Sequence, residues 1–162
     1  MRPPPLTPLA TAVLHVPAPE RALVIGCGEG EPALFVAREF PAARVRGIDP
    51  SPQLVREASS RVGLDPEGRV AFKVAKANAL PFPDGLFDLV AHLEGRVRPV
   101  ELARVLRPGG HLILIGKVGE GVLADARESL RFARLARRGF APLRSERAGD
   151  GNFTVVRLDE AR

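Results

Sequence analysis

The chain has 162 residues, a formal net charge of +5 at pH 7, and 45% hydrophobic and 27% charged residues, the composition of one globular domain of common size. Its single cysteine, Cys27, excludes an internal disulfide and leaves too few thiolates for a zinc site. No apolar run approaches the roughly 20 residues of a membrane helix, and the first residues are mostly prolines, so we expect a cytoplasmic protein with no membrane partner.

The first 20 residues differ from the rest of the chain in composition. They contain six prolines around a short apolar stretch. We expect a Pro-rich N-terminal arm over residues 1–20 with one or two helical turns, followed by a single domain over residues 21–162.

From residue 21 onward, short apolar runs alternate with segments of helical periodicity. The predicted strands are 22–25, 44–48, 70–74, 87–91 and 111–116, and the predicted helices are 31–40, 52–62, 99–106 and 120–138. This alternation predicts a parallel sheet. Two further strands, 143–147 and 153–158, are joined by a connection short enough for a hairpin, so the sheet is expected to end in an antiparallel pair.

The helix predicted over 120–138 carries two different faces. Its apolar residues share one face: Leu123, Ala126, Leu130 and Ala133. A second face is a stripe of arginines: Arg127, Arg131, Arg134 and Arg138. With the sequence pI of about 10.5, this stripe offers RNA an electrostatic contact; a solvated surface is the simpler interpretation.

A glycine-rich turn, Gly26-Cys27-Gly28-Glu29-Gly30, lies between the first strand and the first helix of the domain. Free backbone N–H groups and the helix dipole favour a ligand with a negative group there. Glu31 stands where the dinucleotide fingerprint requires its third glycine, and a carboxylate repels a pyrophosphate. A zwitterion or a sulfonium nucleoside is less penalised at this turn.

Asp49 lies at the tip of the second strand, 19 residues after Gly30. A carboxylate at this place can accept both hydroxyls of a ribose. The alternative is a helix N-cap or turn residue, a role that Ser51 could also fill.

Four segments in this order resemble the class I, seven-stranded S-adenosylmethionine-dependent methyltransferases. They are residues 22–30, 47–51, 79–90 and 103–110. The resemblance implies a doubly wound α/β fold with a mostly parallel seven-stranded sheet, three α/β/α layers and a C-terminal antiparallel hairpin. It also implies S-adenosylmethionine as the cofactor and a small-molecule methyl acceptor as the partner. A second copy of the chain, forming a homodimer, is a further partner that the sequence allows.

The resemblance also assigns site residues. It places the cofactor against the glycine turn and its ribose on Asp49, with the adenine bordered by residues 76–78 and the methyl group near the tip of the fourth strand. His92, at that tip, is the nearby side chain suited to act as a base at neutral pH. The predicted cofactor contacts are Gly26, Cys27, Gly28, Gly30, Asp49, Pro50, Lys76, Ala77, Asn78 and Ala91. For Cys27, a small residue packed under the cofactor is a simpler role than a nucleophile.

Two positions depart from the family pattern. Val24 and Lys76 stand where the family usually has acidic residues, and the second of these accepts a hydrogen bond from the adenine amino group. An ammonium has no acceptor, so Asn78 is the candidate to accept the adenine hydrogen bond instead. Lys76 could also meet an acidic ligand or point to water.

The alternative function is a degenerate methyltransferase-like domain that binds a cofactor or partner without efficient catalysis. Substrate recognition is left to the N-terminal arm, the connection 91–99, or a partner subunit.

Overall fold

The fold is built on one seven-stranded mixed sheet. The structure is a computed structural model, and it describes residues 6–63, 65, 67–117 and 122–160. The strands are β1 (Arg21–Ile25), β2 (Arg44–Asp49), β3 (Val70–Val74), β4 (Phe87–His92), β5 (Leu106–Lys117), β6 (Phe140–Ala148) and β7 (Gly151–Leu158). The helices are α1 (Leu6–Ala12), α2 (Glu31–Glu39), α3 (Pro52–Arg61), α4 (Pro99–Val105) and α5 (Val122–Arg137). A short 3-10 helix, Val13–His15, follows α1.

The strand order is β3-β2-β1-β4-β5-β7-β6. Strands β1 to β5 pair in parallel, and β7 pairs antiparallel with both β5 and β6. The mostly parallel sheet with a C-terminal antiparallel hairpin is therefore confirmed. The order reverses at β1, whose neighbours are β2 and β4, and such a switch point opens a crevice at the carboxyl ends of the strands.

Alternate residues of the strands enter two separate apolar clusters. In β1, Ala22 and Val24 belong to one cluster, and Leu23 and Ile25 belong to the other. Strand side chains alternate between the two faces of a sheet, so both faces of β1 are covered. This explains why the central strands are continuous apolar runs and why they were easy to locate in the sequence.

The N-terminal segment packs on the sheet. Leu9 and Ala12 of α1 are buried, as is Val13, and α1 contacts β5 and β7. The one or two helical turns expected within residues 1–20 are present as α1, while residues 1–5 lie outside the described residues.

Strand β5 begins earlier than predicted. It starts at Leu106 and includes residues 107–110, which lie between the predicted helix 99–106 and the predicted strand 111–116. A register shift opposite Phe87 and Leu89 accommodates the extra residues, as a β-bulge does.

The prediction of which face of α5 is buried is wrong. Leu130 is 52% exposed, whereas Leu135 is 1% exposed and packs with Phe132 in the second apolar cluster. Phe132 and Leu135 are three residues apart and so share a face, and the aromatic ring gives this stripe more apolar area to bury. The predicted helix start at Glu120 and the side chain of Leu123 lie outside the described residues.

We expect Leu9→Ala to lower the free energy of unfolding by about 2–5 kcal/mol because it removes a buried side chain from the contact between α1 and the sheet. Leu14→Ala is the matched control, since Leu14 is 76% exposed, and should change stability by less than about 0.5 kcal/mol. Urea unfolding followed by circular dichroism measures both. Equal effects of the two substitutions would show that α1 is not part of the folded core.

Candidate functional site

A cavity of about 450 Å³ opens at the carboxyl ends of β1 and β2, next to the segment that follows β4. It lies at the switch point of the sheet, and its volume is in the range of small-molecule sites. The lining residues are 25–26, 48–51, 54, 75–78, 94–96 and 98.

The glycine turn after β1 is fixed to the end of β2. The backbone N–H groups of Gly26 and Cys27 both donate to the Ile48 carbonyl, each at 3.0 Å. Gly26 has a φ of +78°, and a Cβ atom there would lie 2.9 Å from the backbone N of Glu94. The segment after β4 can therefore cross the turn closely only because residue 26 has no side chain.

Asp49 connects this turn to the start of α3. Its Oδ2 accepts the Gly28 N–H at 3.1 Å, and its Oδ1 accepts the Ser51 N–H at 2.9 Å. The Ser51 Oγ accepts the Leu54 N–H, so Ser51 is the N-cap of α3. The helix-cap role that sequence left open for Asp49 thus belongs to Ser51, and the Asp49 carboxylate stays on the cavity wall.

Lys76, Ala77 and Asn78 form another wall of the cavity. The segment that follows them is held by Arg104 of α4, which donates to the carbonyls of Leu80 and Phe82 at 2.8 and 2.7 Å. Glu101 completes the anchor: it accepts the Leu80 N–H, and its hydrogen bond with Arg104 lowers the pKa of its carboxyl. This anchor positions the wall from outside the cavity.

Four of the predicted cofactor residues do not line the cavity: Cys27, Gly28, Gly30 and Ala91. Gly28 acts through its N–H on Asp49. A Cβ atom on Gly30 would lie 2.9 Å from the Cβ of Ala58, so Gly30 permits α3 to pack. Ala91 is buried in the core.

Cys27 is buried beneath the turn. Burial, reinforced by the nearby Asp49 carboxylate, raises the pKa of its thiol from 9.0 to about 12. A thiol in this state is not a nucleophile at neutral pH, which agrees with the packing role expected for this residue.

His92 does not fit the role of a base. Its side chain is 3% exposed, lies outside the cavity lining, and leaves Nε2 without a hydrogen-bond partner. Burial is the main cause that lowers its pKa from 6.5 to about 4, with Arg131 acting in the same direction and the Arg96 backbone in the opposite one. The sequence placed His92 correctly at the end of β4, but the alternation of the strand directs the ring into the protein.

Ser51 was considered in the sequence only as a helix cap. It lines the cavity, as do four residues that were not among the predicted site residues: Leu54, Glu94, Arg96 and Arg98. The last three follow β4, whose carboxyl end meets that of β1 at the switch point. The usable signal was their position in the connection 91–99, which follows a strand beside the glycine turn.

The arginine stripe of α5 is far less uniform than its spacing suggests. Arg127, Arg134 and Arg138 are exposed. Arg131 is half-buried, has a buried Nε without a partner, and lies 5.6 Å from the centre of the Phe132 ring. None of these arginines lines the cavity.

Among the helices of the described ranges, none has both the length and the apolar character that a membrane span requires.

A family model described as "Methyltransferase domain" matches residues 22–110. The 27-O-demethylrifamycin SV methyltransferase of Amycolatopsis mediterranei is 36% identical to this chain, over 96% of this chain and 55% of that protein. The chain belongs to the class I S-adenosylmethionine-dependent methyltransferase family. Family membership and fold imply S-adenosylmethionine as the cofactor of this methyltransferase domain.

Two further proteins are similar to this methyltransferase domain. The demethylmenaquinone methyltransferase of Thermus thermophilus is 39% identical over 60% of this chain and 47% of that protein. A solved S-adenosylmethionine-dependent methyltransferase from Aquifex aeolicus superposes with a TM-score of 0.73 at 21% identity, covering 94% of this chain and 89% of that one, which supports the fold. The chain spans about half the length of the curated relatives it matches.

The depressed pKa of His92 predicts a specific loss of stability in acid. Between about pH 6.5 and 4, His92 is protonated in the unfolded chain but neutral in the folded protein. The free energy of unfolding therefore falls as the pH is lowered through this window. The loss attributable to His92 is roughly 3 kcal/mol across the window. His92→Gln should remove it, which guanidinium unfolding at several pH values would measure as a shallower pH dependence. Identical pH dependence in the two proteins would contradict the burial of a neutral imidazole.

Proposed function

We propose that this chain transfers the methyl group of S-adenosylmethionine to a small-molecule acceptor. The observation that carries the proposal is the Asp49 carboxylate on the wall of the cavity, joined to the glycine turn through the Gly28 N–H. Family membership supports the cofactor, and the names of the antibiotic and quinone methyltransferases among its relatives support a small acceptor.

The residues on the cavity wall fit this cofactor. Each Asp49 oxygen accepts one backbone N–H and keeps acceptor capacity for a ribose hydroxyl. Gly26 presents bare backbone to the cavity. Asn78, also on the wall, carries an amide oxygen that can accept from the adenine amino group.

When bound, the cofactor supplies an electrophilic methyl group on a sulfonium centre. The work of the chain is then to hold the acceptor in line with that group, because orientation supplies much of the acceleration in such transfers. The residues placed for this work follow β4, since Glu94, Arg96 and Arg98 line the cavity beside Gly26. His92 directly precedes this segment, and we keep it as a site residue for that reason alone. We do not propose it as the general base.

Two substitutions relative to the family pattern affect the cofactor site differently. Val24 is fully buried in the core, where an unpaired carboxylate would be costly, so its apolar side chain suits this chain's packing. Lys76 is exposed on the cavity wall and offers donors only. We infer that adenine is held by Asn78 and the apolar wall, with weaker binding than in relatives that have an acidic residue at position 76.

Lys76 also supports a second candidate function, a methyltransferase-like module that binds a cofactor or partner without efficient catalysis.

Other features remain predictions: the arm and domain boundaries of 1–20 and 21–162, the three-layer arrangement of helices, a cytoplasmic location, a homodimer, and RNA contact through Arg127, Arg131, Arg134 and Arg138.

Asp49→Ala should weaken S-adenosylmethionine binding by about ten- to a hundredfold, the effect of losing a charged hydrogen-bond acceptor. Asp159→Ala is the matched control, because Asp159 is exposed and lies outside the cavity lining. Calorimetric titration measures both affinities, and circular dichroism confirms that the variants fold. Unchanged affinity in a folded Asp49→Ala protein would contradict the proposed site.

Lys76→Asp separates the two candidate functions. If the wild-type chain binds the cofactor and Lys76→Asp binds it more tightly, Lys76 weakens a working site. If the wild type shows no binding and Lys76→Asp gains it, the chain is a degenerate module and its role lies with a partner.

A further inference from the structure

Three cationic side chains surround the cavity, those of Lys76, Arg96 and Arg98. Within the described residues, none of the three forms an ion pair or donates a side-chain hydrogen bond. Arg104 shows the opposite situation, since Glu101 and Asp84 both accept from its guanidinium. The cations of the cavity therefore keep their full hydrogen-bonding capacity for a ligand.

The carboxylates on the same wall do not balance these cations. Asp49 is bound by two backbone N–H groups, which leaves Glu94 as the carboxylate of the lining without a partner in the described part of the chain. A sulfonium cofactor adds a further positive charge. Unpaired cations in a concave site concentrate anions and orient them, so the charge of the cavity favours a negatively charged acceptor.

The cavity also lacks a histidine to accept a proton. His92 is buried outside the lining, and no other histidine lies on the cavity wall among the described residues. A neutral alcohol or a protonated amine must lose a proton on methylation and benefits from a base. An ionised acid needs none: its oxygen donates an electron pair to the methyl carbon, the carbon–sulfur bond breaks with its electrons on sulfur, and no proton moves.

Arg96 and Arg98 are placed to hold such an anion. They stand two residues apart in the segment that crosses Gly26, and both line the cavity near the glycine turn. The guanidinium group matches a carboxylate with two parallel N–H donors.

We propose that the methyl acceptor is a small organic acid, bound through its carboxylate by Arg96 and Arg98 and methylated on an ionised carboxylate oxygen. The inference rests on the proposed function and names the substrate class of the same site. The product is a neutral methyl ester, which these cations hold less well than the acid, so the charge of the site also favours product release.

The test compares acids with alcohols of the same skeleton. The full chain is loaded with S-adenosylhomocysteine and titrated by calorimetry with decanoate and decanol, and then with naphthoate and naphthalenemethanol, near neutral pH. We expect at least one acid to bind about ten- to a hundredfold more tightly than its alcohol, and high salt to reduce this preference.

The variants assign the preference to the proposed residues. Arg96→Gln combined with Arg98→Gln should abolish the preference for the acid, measured as the ratio of the acid's affinity to the alcohol's. Arg38→Gln is the matched control, because Arg38 is exposed on α2 and lies outside the cavity lining, and it should retain the preference.

Two results overturn the proposal. In the first, the chain binds S-adenosylhomocysteine, but in both pairs the acid binds no more tightly than its alcohol. This result leaves the proposed function standing. The other is a chain that does not bind S-adenosylhomocysteine, which rejects the proposed function and this inference together.

Discussion

The carboxylate of Asp49 holds together two segments that border the cavity. One oxygen accepts the Gly28 N–H and the other accepts the Ser51 N–H, so the turn after β1 and the start of α3 meet at the end of β2. The Ile48 carbonyl strengthens the same junction by accepting the Gly26 and Cys27 N–H groups. The residue proposed to bind the ribose therefore also shapes the turn beneath it.

The segment after β4 gives the cavity its chemical character. It crosses Gly26 so closely that a Cβ atom there would clash, and it carries Glu94, Arg96 and Arg98 onto the wall. The strand before it directs His92 into the protein, where burial keeps the imidazole neutral. Among the described residues, the cavity wall carries cations without partners and no histidine, which favours the ionised acceptor that we propose. Lys76, which we propose weakens the adenine contact, also lines the cavity and adds to its positive charge.

Much of the fold was predictable because its signals are local. Strands β1 to β4 were located to within a residue, since buried parallel strands are short apolar runs bounded by glycine, proline or polar residues. The face of α5 was predicted wrongly because two apolar stripes are present, and packing against the sheet, not spacing, selected Phe132 and Leu135. Arg96 and Arg98 lie in the connection 91–99, which the sequence offered for substrate recognition. They were not singled out individually, because their place on the cavity depends on how the chain folds over Gly26.

We propose that the cavity at the ends of β1 and β2 binds S-adenosylmethionine. Backbone amide chemical shifts, measured by NMR with and without this cofactor, test it most directly. We expect shifts concentrated in residues 26–30, 49, 51 and 76–78, with residues of α5 and β6 unaffected. Shifts absent from those residues, or confined to α5 and β6, would contradict it.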